Sequence, residues 1–200
     1  MTPEATELCA SIEHAFGALQ YPGDDNIVYD NSGYHLECAA IKKALKARHW
    51  RDISFDTLDD MREALCFLSP GGFRFYLPAF MRIAVTDYDR ADIIPGIIIR
   101  SLTPPTLSDV EERAAFLENF SKQDKGYVKI SPEEVRELNA QMLGSFHSGE
   151  DLIWFDERVS IFTPEEKKAV RRYVEYMRDF HGNDLEEDAQ KALDRYWNRF

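Results

Sequence analysis

Neither lysine nor arginine occurs in the first 41 residues of this chain, although seven carboxylates do: Glu4, Glu7, Glu13, Asp24, Asp25, Asp30 and Glu37. Other absences narrow the chemistry. There is no GxSxG, HExxH, P-loop or GxGxxG string, so the common local signatures of hydrolases, zinc proteases and nucleotide enzymes are missing. No apolar run approaches the roughly 20 residues of a membrane helix. The most apolar stretch, Ile93-Ile94-Pro95-Gly96-Ile97-Ile98-Ile99, is short and interrupted by Pro95-Gly96. The opening MTPEATELCASIEHAF has no basic leader, which argues against a secretory signal. Cys9, Cys38 and Cys66 are an odd set without CxxC spacing, which points to free thiols and a cytoplasmic setting.

What is present begins with a change of sign. The ten residues KKALKARHWR, from Lys42 to Arg51, hold five basic groups and no acid. The whole chain of 200 residues carries a formal net charge of -12, which disfavours general binding to a phosphate backbone and suits a basic protein partner. Trp50 could join Lys42, Lys43, Lys46, Arg48 and Arg51 in gripping nucleic acid, but the surrounding acidity opposes this. With 44% apolar and 12% aromatic residues, the chain has the composition to bury a core.

Helical spacing dominates. Thr2 and Pro3 suit a helix start, and Leu8, Ile12, Ala15, Phe16 and Leu19 lie on one stripe until Tyr21-Pro22-Gly23. A second helix is expected from about Tyr34 to His49 with Leu36, Ala40, Ile41, Ala44 and Leu45 inward, and a third from about Leu58 to Leu68. Phe73, Tyr76, Leu77, Phe80, Met81 and Ala84 define a central apolar helix with a kink or break at Pro78. Residues 93–102 fit either a strand or a helix, and helical neighbours favour the latter. Ser108-x-x-Glu111, Ser131-x-x-Glu134 and Thr163-x-x-Glu166 read as capping boxes. Leu152 to Phe155 reads as a short buried segment. The expectation is an all-α fold of roughly seven to nine helices in a single domain over residues 1–200, with a possible hinge near 121–130.

The strings Tyr21-Pro22-Gly23-Asp24-Asp25-Asn26-Ile27-Val28, Glu37-Cys38, Phe67-Leu68-Ser69-Pro70, Phe73-Arg74-Phe75-Tyr76-Leu77-Pro78-Ala79-Phe80 and Phe162-Thr163-Pro164-Glu165 together resemble an uncharacterised bacterial family, a domain of unknown function with YPGDD and FRYYLPAY-like motifs. The resemblance implies a bacterial cytosolic protein and draws attention to the Tyr21 to Cys38 region. It implies no activity.

The residues support two functional readings. In the first, the chain is a non-enzymatic, acidic, cytosolic protein-binding module, of the kind an immunity or inhibitor protein represents, and Tyr21, Asp24, Asp25, Asn26 and Asp30 meet the partner. In the alternative it is a metal-dependent enzyme, because His35 and Cys38 lie three apart on a helix and Asp24 is near in sequence. Nitrogen, sulfur and oxygen ligands of that kind suit a divalent ion such as zinc. Asp87, Asp89 and Asp92 hint at a calcium loop, but Asp92 stands where the obligatory glycine belongs and Ile98 where the closing glutamate belongs.

Overall fold

A computed structural model describes residues 1–122 and 130–200, without the side chains of residues 183 and 184. The expected hinge falls largely outside the described residues. Eleven α-helices occur among the described residues, nine of them seven residues or longer, and there is no strand. They are α1 (Pro3–Phe16), α2 (Leu36–Leu45), α3 (Phe55–Asp59), α4 (Pro70–Thr86), α5 (Tyr88–Ala91), α6 (Ile94–Ser101), α7 (Leu107–Ser121), α8 (Pro132–Ser148), α9 (Glu150–Ser160), α10 (Pro164–Phe180) and α11 (Gly182–Arg195). None is long and apolar enough to cross a membrane. The chain divides into two compact units, Met1–Thr103 with Glu157–Phe200, and Pro104–Asp156.

In the first unit α4 is the centre. Ser69 caps it by accepting from Gly72 N, and Pro70 occupies the first turn, where a missing N–H costs nothing. The helix continues through Pro78, which is itself buried, and its sides from Phe73 to Val85 are buried on almost every face. A helix apolar all round needs neighbours all round. Helices α1 and α6 pack on it, and α1 and α6 in turn lean on α10 and α11. Phe162 joins these layers, edge-on to Phe16 of α1 and stacked on Phe73 of α4. The ambiguous stretch is helical as α6, locked at its end by Trp197, whose indole N–H donates to Leu102 O at 2.6 Å.

Several expectations need correction. The third helix is α3, succeeded by turns and a short 3-10 segment, Ala64–Cys66, rather than one helix to Leu68. Helix α2 begins at Leu36, and its inward stripe is Cys38, Ile41 and Leu45, with Leu36 and Ala40 outside. In the second unit α7 and α8 pair, and the cap of α7 sits two residues earlier than its sequence suggests. Thr106 Oγ1 accepts from Asp109 N and the Asp109 carboxylate accepts from Thr106 N, while Ser108 only reaches Glu112. Leu152 and Ile153 lie within α9 and are exposed. The boxes at Ser131 and Thr163 form as read.

Candidate functional site

The region from Tyr21 to Cys38 is a loop between α1 and α2, and its sequence explains why it holds one shape. Tyr21 stands edge-on to Phe75 of α4, and its hydroxyl donates to Asp24 at 2.7 Å while accepting from Ala47 N at 3.0 Å. Ala47 needs that support because its φ of 56° is a left-handed conformation that a side chain disfavours. Tyr76 adds a second phenol, donating to Leu45 O and Arg48 O. The end of α2 is therefore tied down twice.

Further along, the loop is fastened to the entrance of α4. Tyr29 N donates to Phe67 O and Ser69 N to Ile27 O, making a single antiparallel bridge between Val28 and Leu68. The Ser69 hydroxyl donates to Asn26 O. Gly72 is required by this approach, since a Cβ there would sit 2.0 Å from Ile27 O. Asn26 Nδ2 donates to Pro22 O, and Asn31 Nδ2 to Asp25 O and Val28 O. The Asp30 carboxylate accepts from Ser32 N and the Ser32 hydroxyl from Tyr34 N, so the turn before α2 is held by its own side chains. Hydrogen bonds from Ser32 keep Asp30 below the usual carboxylate range.

The charge segregation of the sequence is largely cancelled in space. Lys46 pairs with Asp24 at 2.7 Å, Lys42 with Asp25 at 2.9 Å, and Arg51 with Glu13. Lys46 is the main reason that Asp24 stays below its usual value, with Tyr21 second. The expected unmixed acidic face is thus reduced. Glu7 pairs with Arg172, so of the seven carboxylates Glu4, Asp30 and Glu37 meet no lysine or arginine among the described residues, and only the last two lie in the loop region.

The candidate metal ligands are distributed between two settings. Asp24 is engaged by Lys46 and Tyr21. His35 caps α2, with Nδ1 accepting from Cys38 N at 3.4 Å and Glu37 3.2 Å from the same nitrogen, while Nε2 lies 2.8 Å from the Tyr29 oxygen. Cys38 is buried. Burial first, then the Cys38 thiol, with Asp30 and Glu37 adding to it, raises the Tyr29 phenol. Among the described residues, no three histidine, cysteine, aspartate or glutamate side chains converge as metal ligands would.

Sequence reasoning missed the residues this brace presents. Tyr34 is 91% exposed, Leu36 77% and Tyr29 48%. Tyr29 stacks on Phe67, and His35 meets both rings edge-on. The available signal was Asn31-Ser32-Gly33, a turn sequence placed directly before Tyr34 and Leu36, and turns carry their neighbours to the surface.

The class defined by these features is an all-helical protein whose first unit braces an interhelical loop and displays aromatic and aliphatic side chains on it. Residues 4–141 match a family of unknown function, DUF6714, and the chain belongs to that family. No curated protein and no solved structure matches it.

Proposed function

We propose that the protein is a non-enzymatic binding module and that the surface of Tyr29, Tyr34 and Leu36, with Asp30 and Glu37 beside it, contacts a basic protein partner. The observation that carries this reading is the exposure of Tyr29 and Tyr34 on a loop fixed by hydrogen bonds from both sides, and of Leu36 at the first position of α2 beside it. Tyrosine is enriched where interfaces bind tightly, and a rigid loop loses little conformational freedom on binding. Tyr21, Asp24, Asp25 and Asn26 then act as the brace and Asp30 as a contact. The two remaining carboxylates favour a partner of opposite charge.

The test is site-specific photocrosslinking in cells, with a benzophenone side chain at Tyr34 or Leu36 and a control at exposed Lys168. The reading expects one discrete protein adduct from the first two positions and none from the third. Adducts that do not depend on position would refute it.

A further inference from the structure

We propose that the paired helices α7 and α8 form a docking face for a basic amphipathic helix of a partner protein. The apolar side of that helix lies on Phe116 and Leu138, and its lysines or arginines meet the carboxylates around them. This contact is independent of the loop between α1 and α2. The pair is thinly packed for its size. Of its 15 and 17 residues, only Val110 on α7 and Val135 and Asn139 on α8 are buried. Helices of this length are held by buried apolar faces rather than by propensity, and one of these three contacts is polar. Asn139 Nδ2 donates to Ala114 O at 3.3 Å and lies 3.5 Å from Glu118 Oε1, while its buried Oδ1 has no hydrogen-bond partner among the described residues. A buried amide of this kind fixes how two helices align at a cost in stability. Phe116, in contrast, is 64% exposed and Leu138 41%.

The two exposed side chains share one face. Asn139 and Glu118 meet on one side of the seam marked by Val110 and Val135. A helix turns by about 100° per residue, which puts Phe116 across Val110 from Glu118 and Leu138 across Val135 from Asn139. Phe120, one turn after Phe116, stacks on it with ring centres 6.1 Å apart and extends the apolar strip. One turn before, Glu112 adjoins Phe116 and Glu134 adjoins Leu138. Charge then selects the occupant. The two helices carry seven carboxylates against Arg113 and Arg136, and Arg136 already pairs with Glu133 at 2.5 Å. A second copy of the chain would set the same negative excess against itself. A basic helix neutralises it, and the apolar strip gives that helix a groove-side contact of the usual spacing.

Backbone amide shifts of the isotope-labelled full chain test the assignment. The titrant is a capped peptide of leucine and lysine whose leucines recur at three- and four-residue spacing. It is expected to move the amides of residues 107–121 and 132–148, and to bind about tenfold more tightly than a scrambled peptide of the same composition. Phe116→Ser combined with Leu138→Ser keeps every charge and should lose about that tenfold advantage. Glu112→Lys keeps the apolar strip and should weaken the peptide severalfold. Equal binding of ordered and scrambled peptides overturns the proposal, as does full binding to both variants. A peptide with glutamate in place of lysine that binds equally well overturns the basic assignment. Shifts confined to residues 29–37 overturn this site and leave the loop reading standing. A concentration-dependent dimer in sedimentation, abolished by Phe116→Ser, assigns the face to a second copy and overturns the proposal as well.

Discussion

The guanidinium of Arg74 donates twice to the carboxylate of Glu166, Nε to Oε2 and Nη2 to Oε1, each at 2.9 Å. Glu166 is only 2% exposed and also closes the capping box of α10 by accepting from Thr163 N. One carboxylate thus starts α10 and joins it to α4. Glu166→Ala should cost about 3 kcal/mol of stability in urea unfolding, since a buried charge pair is broken from one side. Glu166→Gln, which keeps an acceptor, should cost less. Equal losses would assign the effect to packing.

Gly72→Ala forces a Cβ against the Ile27 carbonyl, which is itself held by Ser69 N. The loop must shift away from α4, at about 2–3 kcal/mol. The amides of residues 27–34 should move in the NMR spectrum while those of α11 stay in place.

The end of α2 gives two substitutions of opposite sign. Tyr21→Phe removes the hydroxyl shared by Asp24 and Ala47 N and should destabilise by about 1–2 kcal/mol. Ala47→Gly relieves the left-handed strain and should stabilise by about 0.5 kcal/mol, net of the extra freedom glycine gains when unfolded. Thermal midpoints of the two variants should lie on either side of the parent.

The pair of Asp24 and Lys46 has a pH signature. Lys46, with Tyr21 second, lowers the Asp24 value, so the contribution is complete above the unfolded carboxylate value of about 4 and is lost as pH falls through the lower folded value. Asp24 raises Lys46, so at the alkaline end the same contribution is present below the unfolded lysine value and fades as pH rises through the raised one. The difference in urea midpoint between the parent and Asp24→Asn should therefore be present near neutrality and shrink toward zero below about pH 3. A difference unchanged in acid would mean that charge is not its source.

At α7, Thr106→Ala should cost about 1 kcal/mol and Ser108→Ala only a few tenths, because Thr106 is the cap. Amide exchange of Asp109 and Val110 should quicken in the first variant alone.

The fold was legible in the sequence where the signal is local. Pro3, Pro132 and Pro164 each come directly after a capping hydroxyl, and all three helices start there. The aromatic repeat from Phe73 to Ala84 places α4 correctly because apolar residues surround it. Helix α2 misleads, since Leu36 and Ala40 continue the apolar spacing of Ile41 and Leu45 yet face solvent. At α7, two overlapping hydroxyl–carboxylate patterns compete, and Thr106 wins because its backbone is already extended at the helix entrance. Pairing across distance was not readable at all. Nothing local links Asp25 to Lys42, Asp24 to Lys46 or Glu13 to Arg51, so a block of acids beside a block of bases looks like a display although three of its acids are internal partners of three of its bases. For the same reason the bonds from Tyr21 to Ala47 and from Lys46 to Asp24 left no trace in the local sequence.

That internal neutralisation has a kinetic consequence. Residues 1–51 hold seven carboxylates and five lysine or arginine side chains, so only -2 of the formal -12 originates there. The other -10 is carried by residues 52–200, and salt screens each of those charges over about 8–10 Å. Diluting the salt lengthens that reach, so a basic partner should arrive faster through charges that lie outside the segment it finally touches.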